Sequence, residues 1–201
     1  MLNLYAIIFF MKIITTPDPR LRQKSKKVGE ITKEVQQIIA NMRKLSLDWE
    51  KKHPYEISAA MAAPQIGKNY RIIIIRDNME DKAQTNFIAL INPEIIKTNQ
   101  ETKTDYEGCL SVPKIYGLVS RPTKVKIKAK LENGNEVRLK AEGELARILL
   151  HEIDHLNGVL FIDHIKNQTD AFFSLDEQGE LKPVDYEKNI KNNQHLFPHE
   201  N

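Results

Sequence analysis

His151-Glu152-Ile153-Asp154-His155 is the stretch that organises the reading of this chain. On a helix, residues four apart project from one face, so the two imidazoles can bind a single metal ion. The carboxylate between them then sits beside a water polarised by that ion and can accept its proton. The surrounding residues support the helix. Leu145, Ile148, Leu149 and Ile153 recur on or near one face between Glu144 and Leu156, and Gly158 stands where a terminating glycine belongs.

Upstream of this helix the pattern is mainly one of strands. Arg71 to Arg76 is a β-branched run expected to form a buried strand, and Phe87 to Asn92 forms another that ends at Pro93. Lys124 to Leu131 and Glu136 to Lys140 flank Asn133-Gly134, a hairpin signal. Before them, apolar residues at helical spacing from Ile31 to Glu50 predict an amphipathic helix, with Thr32 as N-cap and Pro54 closing the region. Trp49 and the Ile72 to Ile75 run are expected in the core. Strands preceding one late metal-bearing helix imply an α+β fold with small antiparallel sheets packed around that helix.

After Asp163 the chain turns polar. Phe172 to Leu175 and Leu181 to Val184 suggest a second small hairpin, and residues from Glu187 onward are expected to be frayed. The expected organisation is therefore an N-terminal extension over 1–10, a catalytic domain over 11–165 and a polar tail over 166–201. Met1 to Phe10 is apolar but too short to span a bilayer, and it lacks the basic flank and cleavage site of a signal. It reads as a start-site extension or a packed strand.

The bulk composition narrows the function classes. Of 201 residues, 41% are hydrophobic and 28% charged, ordinary for a soluble globular chain. Lysine and arginine total 30 against 27 acidic residues. The excess is scattered, and the Lys124, Lys126, Lys128, Lys130 alternation reads as a solvated strand face rather than a nucleic-acid groove. With one cysteine, Cys109, neither an intrachain disulfide nor a multi-cysteine zinc module can form.

Two histidines need a third protein ligand. A further histidine six residues on would mark one protease class, but that position is Phe161. A downstream glutamate would mark another; Glu177 and Glu180 are present in a turn-like segment. His164 lies within reach, and Cys109 offers a soft thiolate from Glu107-Gly108-Cys109-Leu110-Ser111. Spacing alone leaves these open.

Together with Ser58-Ala59-Ala60-Met61-Ala62-Ala63-Pro64-Gln65, the two stretches carrying Cys109 and the histidines resemble the motifs of peptide deformylase, in that family's order. The resemblance covers about Met11 to Ile165, including the opening Pro17-Asp18-Pro19-Arg20-Leu21-Arg22. It implies that Cys109, His151 and His155 hold one divalent metal, ferrous iron foremost, with zinc, nickel or cobalt as other occupants. Glu152 becomes the proton acceptor, while the Gln65 side chain and the Leu110 backbone N–H steady the oxyanion. Glu107 supports the site by pairing with Arg121 and counts among the substrate-side residues with Ala59, Ala60 and Ile148. Asp154 is structural or an acceptor for a histidine N–H.

The reaction implied is removal of the formyl group from the formyl-methionine of newly made polypeptides, with release of formate, in the cytoplasm. The peptide adds as a strand beside Ser58 to Ala60. No membrane or direct nucleic-acid partner is expected. The ribosome surface is a further partner that the resemblance suggests, but the mixed-charge tail shows no basic helix, and any such association is expected to survive truncation after Lys188. Ser58, Ala60 and Leu150 depart from the family pattern, where two glycines and a glutamine are usual. A metallopeptidase, or a non-catalytic peptide-binding descendant, stands as the alternative function.

Overall fold

A computed structural model of the chain describes residues 11–53, 57–78, 85–176 and 178–198. Met1 to Phe10, Pro54 and Glu177 lie outside them. Helix α1 runs over Lys33–Lys52, and the Thr32 side chain accepts from the Val35 N–H as its N-cap. Strands β1 (Ala60–Ala62), β2 (Ile72–Arg76), β3 (Phe87–Thr98), β6 (Lys124–Lys130) and β7 (Glu136–Glu142) form one antiparallel sheet in the order β1-β2-β3-β6-β7. Strands β4 (Thr102–Cys109), β5 (Val112–Pro122), β8 (Phe172–Leu175) and β9 (Leu181–Pro183) form a second, also antiparallel. Helices α2 (Gly143–Leu156) and α3 (Phe161–Ile165) follow β7, and the single turn α4 (Tyr186–Asn189) follows β9. The fold is α+β, built from small antiparallel sheets.

The isoleucine run is buried on both faces because helices cover both sides of its sheet. Ile72 and Ile74 pack with Ile38, Ile39 and Met42 of α1. Ile73 and Ile75 pack with Leu149, Leu150 and Ile153 of α2. Strand alternation thus serves two cores at once. Leu150, which departs from the family pattern, belongs to the second core and is buried.

Two expectations fail for identifiable reasons. Strand β3 passes through Pro93 and reaches Thr98. The register shifts between Ile91 and Glu94, so the proline falls in a bulge where its missing N–H breaks no ladder bond. Asn92, at φ 53°, anchors the bulge: its side chain accepts from the Val28 N–H at 2.8 Å and donates to Val28 O at 2.7 Å. The tail, in turn, is not frayed over its described length. Ile190, Leu196 and Phe197 are buried against Phe161, Ile165 and Phe172 in a third core. The second hairpin is present as β8 and β9.

Helix α2 ends as its sequence suggests. Gly158 has φ 78°, and a Cβ there would stand 2.4 Å from the Arg22 carbonyl oxygen, so both conformation and space call for glycine. No helix among the described residues is long and apolar enough to cross a membrane.

Candidate metal centre

The helical period brings His151 and His155 to one face of α2, and the end of β4 brings Cys109 to meet them. Their ligand atoms lie within 4.8 Å of one another, with His155 Nε2 at 3.2 Å from Cys109 Sγ. Glu180 and His164 are not part of the cluster; His164 Nε2 instead lies 2.7 Å from Asp154 Oδ2. Asp154 also accepts from Arg121, so it serves that pair rather than a cluster histidine.

Glu107 is the hub behind the cluster. Its Oε2 lies 2.9 Å from His151 Nδ1, which leaves His151 Nε2 to face the cluster. Arg121 donates to Glu107 at 2.8 and 3.0 Å, and Arg147 donates at 2.7 Å. Burial would push the Glu107 carboxyl up, but the hydrogen bonds from Arg121 and His151 outweigh it and hold the group well below the usual carboxylate range. The pairing of Glu107 with Arg121 is therefore present. Arg147 was not foreseen, although it stands four residues before His151 on the same helix face. Its guanidinium also donates to Val119 O at 2.8 Å and Lys103 O at 2.6 Å, tying α2 to the second sheet.

Electrostatics differ between the two histidines. Burial, aided by the neighbouring His151, drives His155 well below its usual value, so its lone pair is free. For His151, burial pulls the same way, but hydrogen bonds to Cys109 and Glu107 raise it well above. A cation at Nε2 competes with that proton. Burial also pushes Glu152 up to about 7, moderated by His151 and reinforced by Glu107. A divalent cation beside it acts in the opposite direction.

These residues suit a metal ion. One sulfur and two nitrogens converge from rigid elements, and Glu107 already orients one imidazole. Buried Glu152 Oε2 and His155 Nδ1 have no hydrogen-bond partner among the described residues. A polar atom buried without a partner is costly, and Glu152 Oε2 beside the cluster is one that a cation and its water would relieve.

Gln65 sits on a short 3-10 turn, Ala63–Ile66. The Ala62 N–H donates to its Oε1 at 2.8 Å, which pins the amide and turns Nε2 toward Cys109 Sγ, 3.6 Å away. Ala59, Ala60, Gln65, Leu110, Ile148, His151 and Glu152 all line one cavity of about 650 Å³. Trp49, expected in the core, is instead on the wall of this cavity, stacked on His53 at 4.1 Å between ring centroids. Tyr106, Tyr116 and Leu175 also line it, and nothing in their local sequence singles them out.

Comparison with known proteins agrees with this geometry. A family model described as polypeptide deformylase matches residues 10–171. A peptide deformylase of Halothermothrix orenii is 47% identical over 148 residues, spanning 74% of this chain and 88% of its own. One from Thermomicrobium roseum is 40% identical over 171 residues, spanning 84% and 93%. Among solved structures, the Synechococcus elongatus peptide deformylase in complex with actinonin has a TM-score of 0.67 at 39% identity, covering 79% of this chain and 80% of that one. A plant peptide deformylase has a TM-score of 0.71 at 32% identity, covering 80% and 83%. The matched region spans the glutamine turn, the cysteine strand and the histidine helix alike, and the chain belongs to the peptide deformylase family.

Proposed function

We propose that this chain removes the formyl group from the N-terminal formyl-methionine of newly made polypeptides and releases formate. The observation that carries the reading is the meeting of Cys109, His151 and His155 beside Glu152 on a cavity wall that also holds the Gln65 amide. Cys109 Sγ and the two imidazoles are the proposed ligands, ferrous iron the proposed resident, and zinc, nickel and cobalt the ions the same donors would accept. When bound, such a cation lowers the pKa of a water and polarises the formyl carbonyl.

The chain's own groups do the rest. Glu152, on the cavity wall beside the cluster, takes a proton from the attacking water and delivers it to the leaving amine. Gln65 Nε2, held by the Ala62 N–H on its Oε1, donates to the oxygen that gains charge, and the Leu110 N–H is the second donor. Strand β1 is an edge of its sheet, so a peptide laid beside Ser58 to Ala60 finds main-chain partners irrespective of its sequence. Ile148 and Ala59 supply apolar surface for the methionine. The proposed place of action is the cytoplasm, where such chains are made.

Formate release from formyl-Met-Ala-Ser by anaerobically prepared, iron-loaded protein tests the reading. Turnover is expected, and Glu152→Ala is expected to lower kcat by about 10²–10⁴. Formate release no greater than in that variant would overturn the assignment.

A further inference from the structure

An ion pair that the proposed chemistry does not use lies beneath the edge of the first sheet. Arg76 ends β2 with its side chain wholly buried, and its guanidinium donates to Glu50 Oε1 near the end of α1, where the carboxylate side chain is only 10% exposed. The guanidinium also lies over the Phe87 ring, 5.1 Å from the centroid. A pair taken this far out of water gains little net stability, because desolvation offsets the attraction. What it supplies is position.

That position is imposed on the main chain at residues 58 and 59. The Ser58 N–H donates to the same Glu50 Oε1 at 2.8 Å, and the Arg76 N–H donates to Ala59 O at 2.8 Å. One arginine thus fixes two successive residues, Ala59 through its own backbone and Ser58 through its carboxylate partner. Strand β1 is three residues long and forms the end of its sheet, with the ladder beginning at Ala60 opposite Ile75. The two bonds extend its hold back to Ser58. Ser58 Oγ is buried without a partner among the described residues, a cost that opposes this placement and that the bond to the carboxylate counters.

The clamp sits at the wall of the cavity that holds the metal cluster. Trp49 and His53 of α1 line it from one side of Glu50, and Ser58, Ala59 and Ala60 line it from the other. A second pair made by α1, Arg43 with Glu132, differs on each count: its side chains are 33% and 36% exposed, and neither residue lines the cavity.

We propose that Glu50 and Arg76 are positioning residues that preset Ser58 to Ala60 as the extended edge on which the formylated peptide pairs. An edge ordered before the peptide arrives loses less conformational freedom on binding. The clamp therefore acts on KM more than on kcat, and acts most on substrates with main chain to lay beside the strand. The inference rests on the deformylase reading and adds to it the groups that hold the pairing strand in place.

The test compares formyl-Met-Ala-Ser with formyl-methionine amide, which has no second residue to pair, using iron-loaded protein and formate release. The quantity read is the ratio of the two kcat/KM values. Glu50→Ala is expected to raise KM for the tripeptide and lower the ratio about tenfold. Glu50→Gln keeps an acceptor for the Ser58 N–H without the charge, and is expected to lower it about threefold. Glu132→Gln, which opens the other pair, retains the wild-type ratio. Thermal melts establish which variants are folded at the assay temperature, and the isosteric glutamine carries the test if the alanine variant is not. A ratio unchanged in the folded Glu50 variants overturns the clamp, as does an equal loss for both substrates, which assigns the pair to stability alone. Either result leaves the deformylase reading standing. No formate from either substrate overturns that reading, and the clamp with it.

Discussion

At the scale of single residues, the site depends on groups that hold other groups still. Gln65 is useful because the Ala62 N–H occupies its oxygen and leaves its amide hydrogens to the cavity. Gln65→Ala is expected to lower kcat by about 10²–10³, with KM little changed, measured by formate release. Glu107 illustrates the same logic for the metal. Its carboxylate receives His151, Arg121 and Arg147, so removing it outright would take the two-pronged partner from the buried Arg121 guanidinium. The neutral Glu107→Gln keeps the shape and weakens the hold on His151, and affinity for the cation is expected to fall about 10–100-fold in a chelator competition. The histidine pair and Glu152 were legible because helical spacing alone places them together. Cys109 was one candidate among several by spacing, and Gln65 and Leu110 came through resemblance, since no local period links position 65 or 110 to position 151. Arg147 was within reach of the same helical argument.

Among the elements, close packing and cross-strand charge carry the predictions. Gly117 lies where α3 crosses β5, with Ile165 and Phe161 against its backbone. Gly117→Ala is expected to destabilise by about 1–3 kcal/mol through overpacking, read as a lower Tm. Glu94 on β3 bonds to Lys27 and to Lys128 on β6, and these hold its carboxyl down at about 2 from an ordinary 4.5. A depressed carboxyl contributes stability above its unfolded value and loses that contribution as pH falls through the folded one. The Tm advantage of the wild type over Glu94→Gln is therefore expected to be full above about pH 4.5 and to vanish toward pH 2, and added salt should shrink it. Strands β2, β6 and β7 were legible from β-branched runs and the Asn133-Gly134 turn. Strands β4 and β5 were not, because β4 presents mostly polar, exposed residues and shows little apolar alternation. The bulge at Pro93 was hidden for a related reason. A proline reads as a strand end unless a partner's register shift absorbs its missing donor.

In the whole molecule, the C-terminal residues close the third core rather than trail from it. Ile190 is fully buried, so Ile190→Ala is expected to cost about 2–5 kcal/mol and lower Tm, with the metal cluster intact by cation binding below the melt. Truncation after Lys188 removes Ile190, Leu196 and Phe197 together, which makes it a test of folding before it is a test of ribosome association. The hairpin of β8 and β9, which precedes this stretch, carries Leu175 on the cavity wall.

The sequence by itself determined the chemistry that repeats locally: a helix bearing His151, Glu152 and His155, and a two-sided isoleucine strand. Such features follow from the 3.6- and 2-residue periods, which need no distant partner. Only the tertiary structure decided that Cys109, and not Glu180 or His164, meets that helix, that Glu107 bridges His151 to two arginines, and that a polar-looking tail supplies both core and cavity wall. Those outcomes depend on register between strands far apart in the chain, and register is set by packing across sheets rather than by any one stretch.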